Sequence, residues 1–577
     1  MSDMTFEETL GTEEELVTKK LERWAEELGD KTFIYYGEED DALSYQRFNQ
    51  LANSFANRLM EMGIKKGDRI SLFLKNPFVT TIAMFGIWKV GAVYCPINFN
   101  YKGRLLSHQI NDTKPTLLLT EKRMVPFLND VSAELPTPLP VILYDPKKGE
   151  HDYFSDAKRI RLDPVFQVIP FDEMMRGRTG NPNVDIHYHD TANIIYTSGT
   201  TGPAKGVVQS YRWIHGYTYM FRAFNTQEDV IYNDLPMYHV GGAFALVARG
   251  AFLGCTVALW DKFSPNDFWK RIKKSGASNA ILLDVMIPWL MNADPKEDDK
   301  ENTLNRVHMQ PLPKYHHQVA KRFAIDFISA GYGQTESGNG FVGIIDELSD
   351  EEGTPEALYK GYSKQETAAI AASLNIPFQK GNRNLPKGYM GKTVPFYEAA
   401  VLDKYDKPCN IGEVGQLAFR PRYPYLALKE YFHVPETTVE AFRNCWFHTG
   451  DVVYKDDNDI YYFVDRMKDV IRRRGENISS YQIEDMINQH ELVNVCAAFP
   501  VPASEGDEDD IVVYVVPKSE QLHPDALAEW IEMTMPTFMR PTYIRFIDDL
   551  PKTPTNKVEK YKLKSMFQKE QATRNVF

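Results

Sequence analysis

Ile194-Ile195-Tyr196-Thr197-Ser198-Gly199-Thr200-Thr201-Gly202-Pro203-Ala204-Lys205-Gly206 is the stretch on which the reading of this chain turns. An apolar strand-like run passes into a loop of glycine, serine and threonine that carries one lysine. Glycines let a backbone approach an anion closely, and successive N–H groups with neighbouring hydroxyls form an anion-binding nest. Lys205 adds a charge-assisted contact. Thr197, Ser198, Gly199, Thr200, Thr201, Gly202 and Lys205 are therefore candidate phosphate ligands. The loop is not a Walker A motif: Ala204 stands where the second glycine should fall, and Gly206 follows the lysine in place of Ser or Thr. Such a cluster is also compatible with a plain surface loop, so the rest of the chain has to decide.

Outward from the loop, helix and strand signals alternate. Ser44 can cap a helix with apolar residues at Phe48, Leu51, Ala52, Phe55, Ala56 and Leu59, and Gly63 lies just past its end. Strand-like runs at 70–74, 92–95, 116–120, 193–197, 230–235 and 256–260 recur between helical segments such as 78–90. This alternation predicts α/β layers around largely parallel sheets. Past about Val394 short strands at 398–402, 415–420 and 460–464 predict a more antiparallel, barrel-like subdomain. After Asp465-Arg466 comes a small α+β tail, with a capped helix after Ser480, strands at 493–499, 511–516 and 543–547, and a helix at 524–535. The expected fold is α/β, with a large N-terminal domain over 1–467 and a small C-terminal domain over 468–577.

Bulk properties exclude several classes. At 577 residues the chain is too long for one core, and roughly three or four packed units are expected. A net charge of −13 gives no support to nucleic-acid binding or a polybasic membrane anchor. The five cysteines are scattered, none in CxxC spacing, and read as buried thiols in a reducing compartment. The acidic N-terminus lacks an apolar signal core, and apolar runs such as 82–90 are too short to span a bilayer. A cytoplasmic enzyme without a transmembrane segment is the expectation.

The segment Tyr196–Gly206 resembles the phosphate loop of the adenylate-forming superfamily, which comprises acyl-CoA synthetases, peptide-synthetase adenylation domains and luciferases. Further motifs similar to that superfamily's follow its order along the chain. Gly91–Asn98 resembles the early core strand, and Pro236-Met237-Tyr238-His239 with Gly241-Gly242 the acyl-pocket motif. Tyr332-Gly333-Gln334-Thr335-Glu336 matches YGxTE, and Thr449-Gly450-Asp451 matches TGD. Asp465-Arg466-Met467-Lys468-Asp469 resembles the hinge, Arg474-Gly475-Glu476-Asn477 the loop after it, and Pro551–Lys557 the terminal lysine motif. The resemblance covers about residues 30 to 565 and points to the acyl-CoA synthetase branch, with the 472–479 loop similar to crotonobetaine/carnitine–CoA ligases.

That resemblance implies ATP, Mg²⁺ and CoA as partners of a small-molecule carboxylic acid. Activation is attack of one anion on another, so charge neutralisation and positioning are the main tasks. Lys557 is implied to neutralise the carboxylate and α-phosphate, with Thr335 donating to that phosphate and Glu336 holding Mg²⁺, a hard cation suited to one carboxylate plus phosphate oxygens. Asp451 can accept both ribose hydroxyls. Arg466 offers a planar donor fork to ribose or phosphate. Tyr332 is implied to stack on adenine beside Gly333, and the adenine turn falls on His308-Met309-Gln310-Pro311, a departure from the usual GGAP-like sequence. A mobile C-terminal domain is implied to swing at Lys468, with Gly475 bordering the pantetheine channel.

The acyl pocket is expected to draw on Tyr238, His239, Asp284, Ala330 and Gly331. A cationic, betaine-like tail would need a carboxylate and aromatic faces nearby, which Asp284, Trp289 and Tyr332 could provide. Asp284 reads more readily as a helix cap than as a substrate contact. The acidic-to-polar stretch 337–390 is compatible with a lid, a surface helix pair or a partner contact. Only twenty residues follow Lys557, which favours a free-standing CoA ligase over a carrier-linked adenylation module; a luciferase-type oxygenase and a homodimer both stay open.

Overall fold

The computed structural model describes residues 9, 15–136, 138–197, 204–283, 285–349, 351–381, 385–473, 476–503, 509–552 and 557–574. They form two compact units: described residues up to 398 together with 419–447, and residues 399–418 with 448–574.

In the first unit, local chemistry sets the helices. Ser44 accepts a hydrogen bond from the Arg47 backbone and starts Tyr45–Glu61. Asn76 does the same for Val79, and Pro77 at the first helical position starts Pro77–Lys89. The latter helix is buried nearly all round, which is why its sequence is mostly apolar on every face. The two helices cross at Gly86, where a Cβ would lie 2.7 Å from the Phe55 ring and 3.1 Å from the Ala52 carbonyl oxygen. A side chain there would push the helices apart. Phe33, Phe48, Phe85 and Trp88 then interlock edge to face beneath the crossing, at centroid separations of 4.8, 5.4 and 5.2 Å.

Two sheets organise this unit. One runs Glu430–Tyr431, Lys205–Ser210, Thr191–Thr197, Val93–Pro96, Arg69–Phe73, Leu117–Glu121, Pro140–Tyr144 and Gln167–Pro170. From Thr191–Thr197 onward it is parallel. The other carries a parallel core of Thr32–Tyr36, Thr256–Leu259, Val230–Asn233, Asn279–Leu283, Arg306–Gln310 and Phe327–Gln334. Antiparallel Gly338–Asp346 and Tyr389–Thr393 extend it. The helix–strand alternation of the sequence is thus realised as parallel α/β layers, as expected.

The stretch after Glu336 begins differently from its polar composition. Gly338–Asp346 is buried at every position, and only beyond it come the capped helix Lys364–Ser373 and the short strand Phe378–Lys380. Its run Phe341-Val342-Gly343-Ile344-Ile345 is buried on both faces, so it lacks the alternation that marks a half-exposed strand.

The second unit contains the antiparallel pair Phe447–Lys455 and Tyr461–Arg466, then Ile471–Arg473 with Glu476–Ile478. Helix Ser480–Ile487 leads to a sheet of Val493–Pro502, Asp509–Pro517 and Tyr543–Phe546, flanked by Pro524–Thr534 and Lys560–Arg574. Alternate strand residues feed two cores, one around Val513 and Ile531, the other around Phe499 and Leu563. Among the described residues no helix is long and apolar enough to cross a membrane.

Candidate active site

Thr191–Thr197 and Lys205–Ser210 form an antiparallel hairpin in which Tyr196 faces Gly206 and Thr197 faces Lys205. Ser198, Gly199, Thr200, Thr201 and Gly202 lie outside the described residues. The strand before the loop is anchored through Tyr196, whose phenol donates to Asp112 Oδ2 at 2.6 Å and accepts from Thr113 Oγ1 at 3.0 Å. Burial and the Asp112 carboxylate push this phenol well above its ordinary range, so it stays a donor.

Lys205 projects its ammonium over the Tyr431 ring, 5.6 Å from the centroid. Tyr431 is placed by the short strand Glu430–Tyr431, which pairs with the lysine-bearing strand. Its hydroxyl donates to Glu336 Oε1 at 3.2 Å, and burial beside this carboxylate keeps the phenol protonated. The structure therefore joins Lys205 and Glu336, some 130 positions apart in the chain, through a residue that the sequence reading missed. A two-residue strand leaves no periodicity by which Tyr431 could have been found.

The backbone of Thr335-Glu336-Ser337 is gripped at three successive carbonyls. Gln209 Nε2 donates to Thr335 at 2.7 Å, the Leu428 N–H donates to Glu336 at 2.7 Å, and the Tyr397 hydroxyl donates to Ser337 at 2.6 Å. Gln209 comes from the lysine-bearing hairpin, so a side chain of the hairpin holds the backbone of this motif. Ahead of them, a Cβ on Gly331 would lie 2.5 Å from the Phe341 carbonyl oxygen, so only glycine lets these strands close up. With its amide oriented to satisfy its neighbours, Asn339 donates to the carbonyls of Tyr332 and Phe341 at 3.2 and 3.1 Å, beside the bulge between Tyr332 and Gly333. The Tyr332 ring is enclosed by Phe341 and Phe419, each 6.1 Å away, and Ala330 is fully buried.

The turn after Asn233 is equally tight. A Cβ on Gly242 would sit 2.6 Å from the carbonyl oxygens of Leu235 and Pro236, and Asn233 Nδ2 donates to the Gly242 carbonyl at 3.2 Å. Tyr238 packs edge-on against Phe99 at 5.0 Å, and His239 Nδ1 accepts from the Gly241 N–H at 3.3 Å. Both side chains are half-buried. Asp284 lies outside the described residues, while Trp289 is 49% exposed and stacks on Phe263.

His308 belongs to strand Arg306–Gln310, so the adenine turn expected over 308–311 begins only at the cis Gln310–Pro311 bond. The extended backbone follows from parallel pairing of His308 with Ile281 and Ser329. Its ring contacts Ser329 Oγ at 3.0 Å and Gln310 Oε1 at 3.1 Å. Burial, with the Arg249 charge adding to it, lowers His308 from 6.5 to about 4. A depressed histidine is neutral in the fold, so its contribution is complete above pH 6.5 and is lost as pH falls toward 4. Each pKa unit is worth about 1.4 kcal/mol, so the loss reaches about 3 kcal/mol. His308→Gln should flatten that portion of the curve when denaturation midpoints are compared between neutral pH and pH near 4.

In the second unit Asp451 pairs directly across from Arg466. Gly450 adopts a φ of 74°, and Thr449 Oγ1 accepts from the Asp451 N–H at 3.1 Å, which fixes the turn presenting the carboxylate. Beyond Arg466, the carbonyl of exposed Lys468 accepts from Lys564 Nζ at 2.9 Å. Lys557 is exposed, whereas Arg474 and Gly475 lie outside the described residues. Three residues on, Lys560 is buried, pairs with Glu484 at 2.9 Å and contacts Ser480 Oγ at 2.5 Å. Ser480 in turn donates to Asp465 Oδ2 through both its N–H and its hydroxyl. Burial opposes the Lys560 charge, but Glu484 and Asp465 outweigh it and raise its pKa.

Among the described residues no three His, Cys, Asp or Glu side chains converge as a metal cage. A single carboxylate such as Glu336 suits Mg²⁺, which is commonly bound by one or two carboxylates plus phosphate oxygens and water.

The AMP-binding enzyme family model matches residues 21–427, and the AMP-binding enzyme C-terminal domain model matches 482–557. A crotonobetaine/carnitine–CoA ligase of Escherichia coli is 26% identical over 535 residues, covering 90% of this chain and 93% of that protein. The anthranilate CoA ligase AuaEII, solved with anthranoyl-AMP, superposes with a TM-score of 0.77 at 20% identity over 96% of this chain and 98% of its own. ATP-bound MatB from Rhodopseudomonas palustris gives 0.74 at 20% identity over 95% and 99%. With the lysine-bearing hairpin, the gripped Thr335-Glu336 segment and these matches together, the chain belongs to the AMP-binding enzyme family.

Proposed function

We propose that this enzyme converts a small or medium carboxylic acid to its acyl-adenylate, releasing pyrophosphate, and then transfers the acyl group to CoA with release of AMP. The observation that carries the reading is the joining of Lys205, Tyr431 and Glu336 beside the phosphate hairpin. A cation, a phenol and a carboxylate held in fixed order are what a triphosphate and its counter-ion require. The solved relatives were found with anthranoyl-AMP and with ATP, the two species on which this reading depends.

In this scheme Lys205 and the loop before it hold the β- and γ-phosphates, which leave together as pyrophosphate. Glu336 would hold Mg²⁺, which screens phosphate charge when bound, and Tyr431 fixes the orientation of that carboxylate. Thr335, its carbonyl pinned by Gln209, presents its hydroxyl to the α-phosphate. Asp451 holds the ribose hydroxyls and Arg466 its neighbouring oxygens. Lys557 bridges the acid carboxylate and the α-phosphate, so the two anions can meet. Rotation at Lys468 then withdraws Lys557 and admits the CoA thiol past Gly475.

Resemblance to the crotonobetaine/carnitine–CoA ligases is the reason betaine-like and α,β-unsaturated acids belong among the acids to be tested. The test is a panel of short aliphatic, unsaturated, betaine-like, aromatic and dicarboxylic acids, scored for pyrophosphate release with and without CoA. Acid-dependent pyrophosphate and CoA-dependent AMP are expected for at least one acid. Adenylation without any CoA-dependent turnover would move the reading to an enzyme that passes its adenylate to a carrier protein.

A further inference from the structure

Helix Tyr211–Ala223 sets Trp213, Tyr217 and Phe221 at four-residue spacing on one face. Trp213 stacks on Tyr217 at 4.7 Å, Tyr217 meets Phe221 at 6.4 Å, and Phe221 meets His308 edge-on at 5.1 Å. At the near end of this row Trp213 Nε1 donates to the carbonyl of Glu336 at 3.4 Å. A Cβ on Gly338 would touch both Trp213 and Tyr217 at 3.7 Å. The row therefore starts at the acid-activating motif and runs into the unit. Tyr217 and Phe221 are only half-buried, although Ile214, Thr218 and Met220 of the same helix are sealed.

At the far end lies Arg249, whose Cζ is 5.6 Å from the Phe221 ring centroid. It follows directly on the π-helical turn Gly241–Ala248, which continues the Pro236–Gly242 motif. Its residue is 4% exposed, and its Nε and Nη2 atoms are enclosed without a hydrogen-bond partner. Among the described residues no carboxylate lies within ion-pairing distance of it. Asp229, the acid whose charge reaches it, is already engaged by Thr226, Ser278 and Asn279. Cys255, the other neighbour, is a thiol that burial pushes up to about 12. Burial lowers the guanidinium to about 10, so it is charged at neutral pH. Buried arginines are ordinarily paired on their donors, and a ligand that supplies an anion answers this one.

We propose that Arg249 is the distal specificity residue of the acyl pocket, and that the acid taken by this enzyme carries a second carboxylate. The helical rise of about 1.5 Å per residue puts about 12 Å between the Trp213 and Phe221 ends of the row. The two carboxylates of the substrate are separated on that scale. A quaternary ammonium tail would face the guanidinium and be repelled, which sets this chain apart from ligases of betaine-like acids. The inference rests on the ligase reading above.

The test compares dicarboxylic acids from adipic to dodecanedioic with the monocarboxylic acids of equal carbon number and with trimethylammonium-terminated acids of matched length. Pyrophosphate release is followed with the full chain, ATP and Mg²⁺. At the best length the diacid should exceed the monoacid in kcat/KM by at least about tenfold, because a site built around a polar group rejects the analogue lacking it. Arg249→Met should bring the diacid-to-monoacid ratio near unity, and Arg249→Lys should restore part of it. Wild-type enzyme that prefers the monoacids or the ammonium acids overturns the assignment without recourse to a variant, as does a ratio unchanged in Arg249→Met. No pyrophosphate from any acid overturns the ligase reading and this inference together, whereas equal turnover of mono- and diacids overturns this inference alone.

Discussion

Lys557→Ala is expected to lower acid-dependent pyrophosphate release by a factor on the order of 10³, with little change in the KM for ATP. Without the ammonium, the carboxylate and the α-phosphate repel one another at the point where they must make contact. Other groups assigned to the nucleotide, Lys205 and Asp451 among them, are left in place, so binding should survive. Acyl-adenylate supplied ready-made should still be converted to the thioester at a rate within about threefold of wild type, since the role proposed for the lysine is confined to the first half-reaction. Single-turnover measurement of both half-reactions separates the outcomes. Undiminished adenylation would sink the assignment of Lys557, and parallel loss of both steps would point to collapse of the domain that carries it.

The largest expected stability effect lies three residues away. Lys560→Met leaves Glu484 and the Ser480–Asp465 pair buried without their cation, which should cost about 3–5 kcal/mol in the second unit. Burial already raises the pKa of Glu484, and the ammonium beside it opposes that shift. Replacing both partners, Lys560→Met with Glu484→Leu, should recover most of the loss, because two packed apolar side chains replace a desolvated pair. Denaturation and hydrogen exchange of helix Ser480–Ile487 measure both variants. Adenylation in Lys560→Met should also fall, by about tenfold, since Lys560 anchors the segment that presents Lys557. A double variant no more stable than the single one would show that Lys560 acts through something other than charge pairing.

Many of the candidate site residues stand out in the sequence because the proposed chemistry needs uncommon residue types in order. Lys205, Thr335, Glu336, Asp451, Arg466 and Lys557 are each marked by glycine or a small polar neighbour that the local backbone demands. Strand and helix positions in the α/β layers followed from period alone, to within a few residues at the ends. Other features left no such trace. The stretch after Glu336 begins as a wholly buried strand, and the 308–311 segment is mostly strand before it is turn. In both, pairing with neighbouring strands overrode what composition suggested.

Family and α/β class are legible in one dimension, because they depend on local spacing and residue type. Which groups share a neighbourhood emerges only when the chain is folded. Tyr431 reaches Glu336 through a two-residue strand, and Arg249 lies beside Phe221 and His308 although they are 28 and 59 positions away. The physical reason is that periodicity records which face a residue turns inward, whereas partners across a core are chosen by packing and by the pairing of buried polar groups. An unpaired guanidinium reads as an ordinary helix arginine in one dimension. Its enclosure without a partner shows only in the folded chain, and the proposed second carboxylate rests on it.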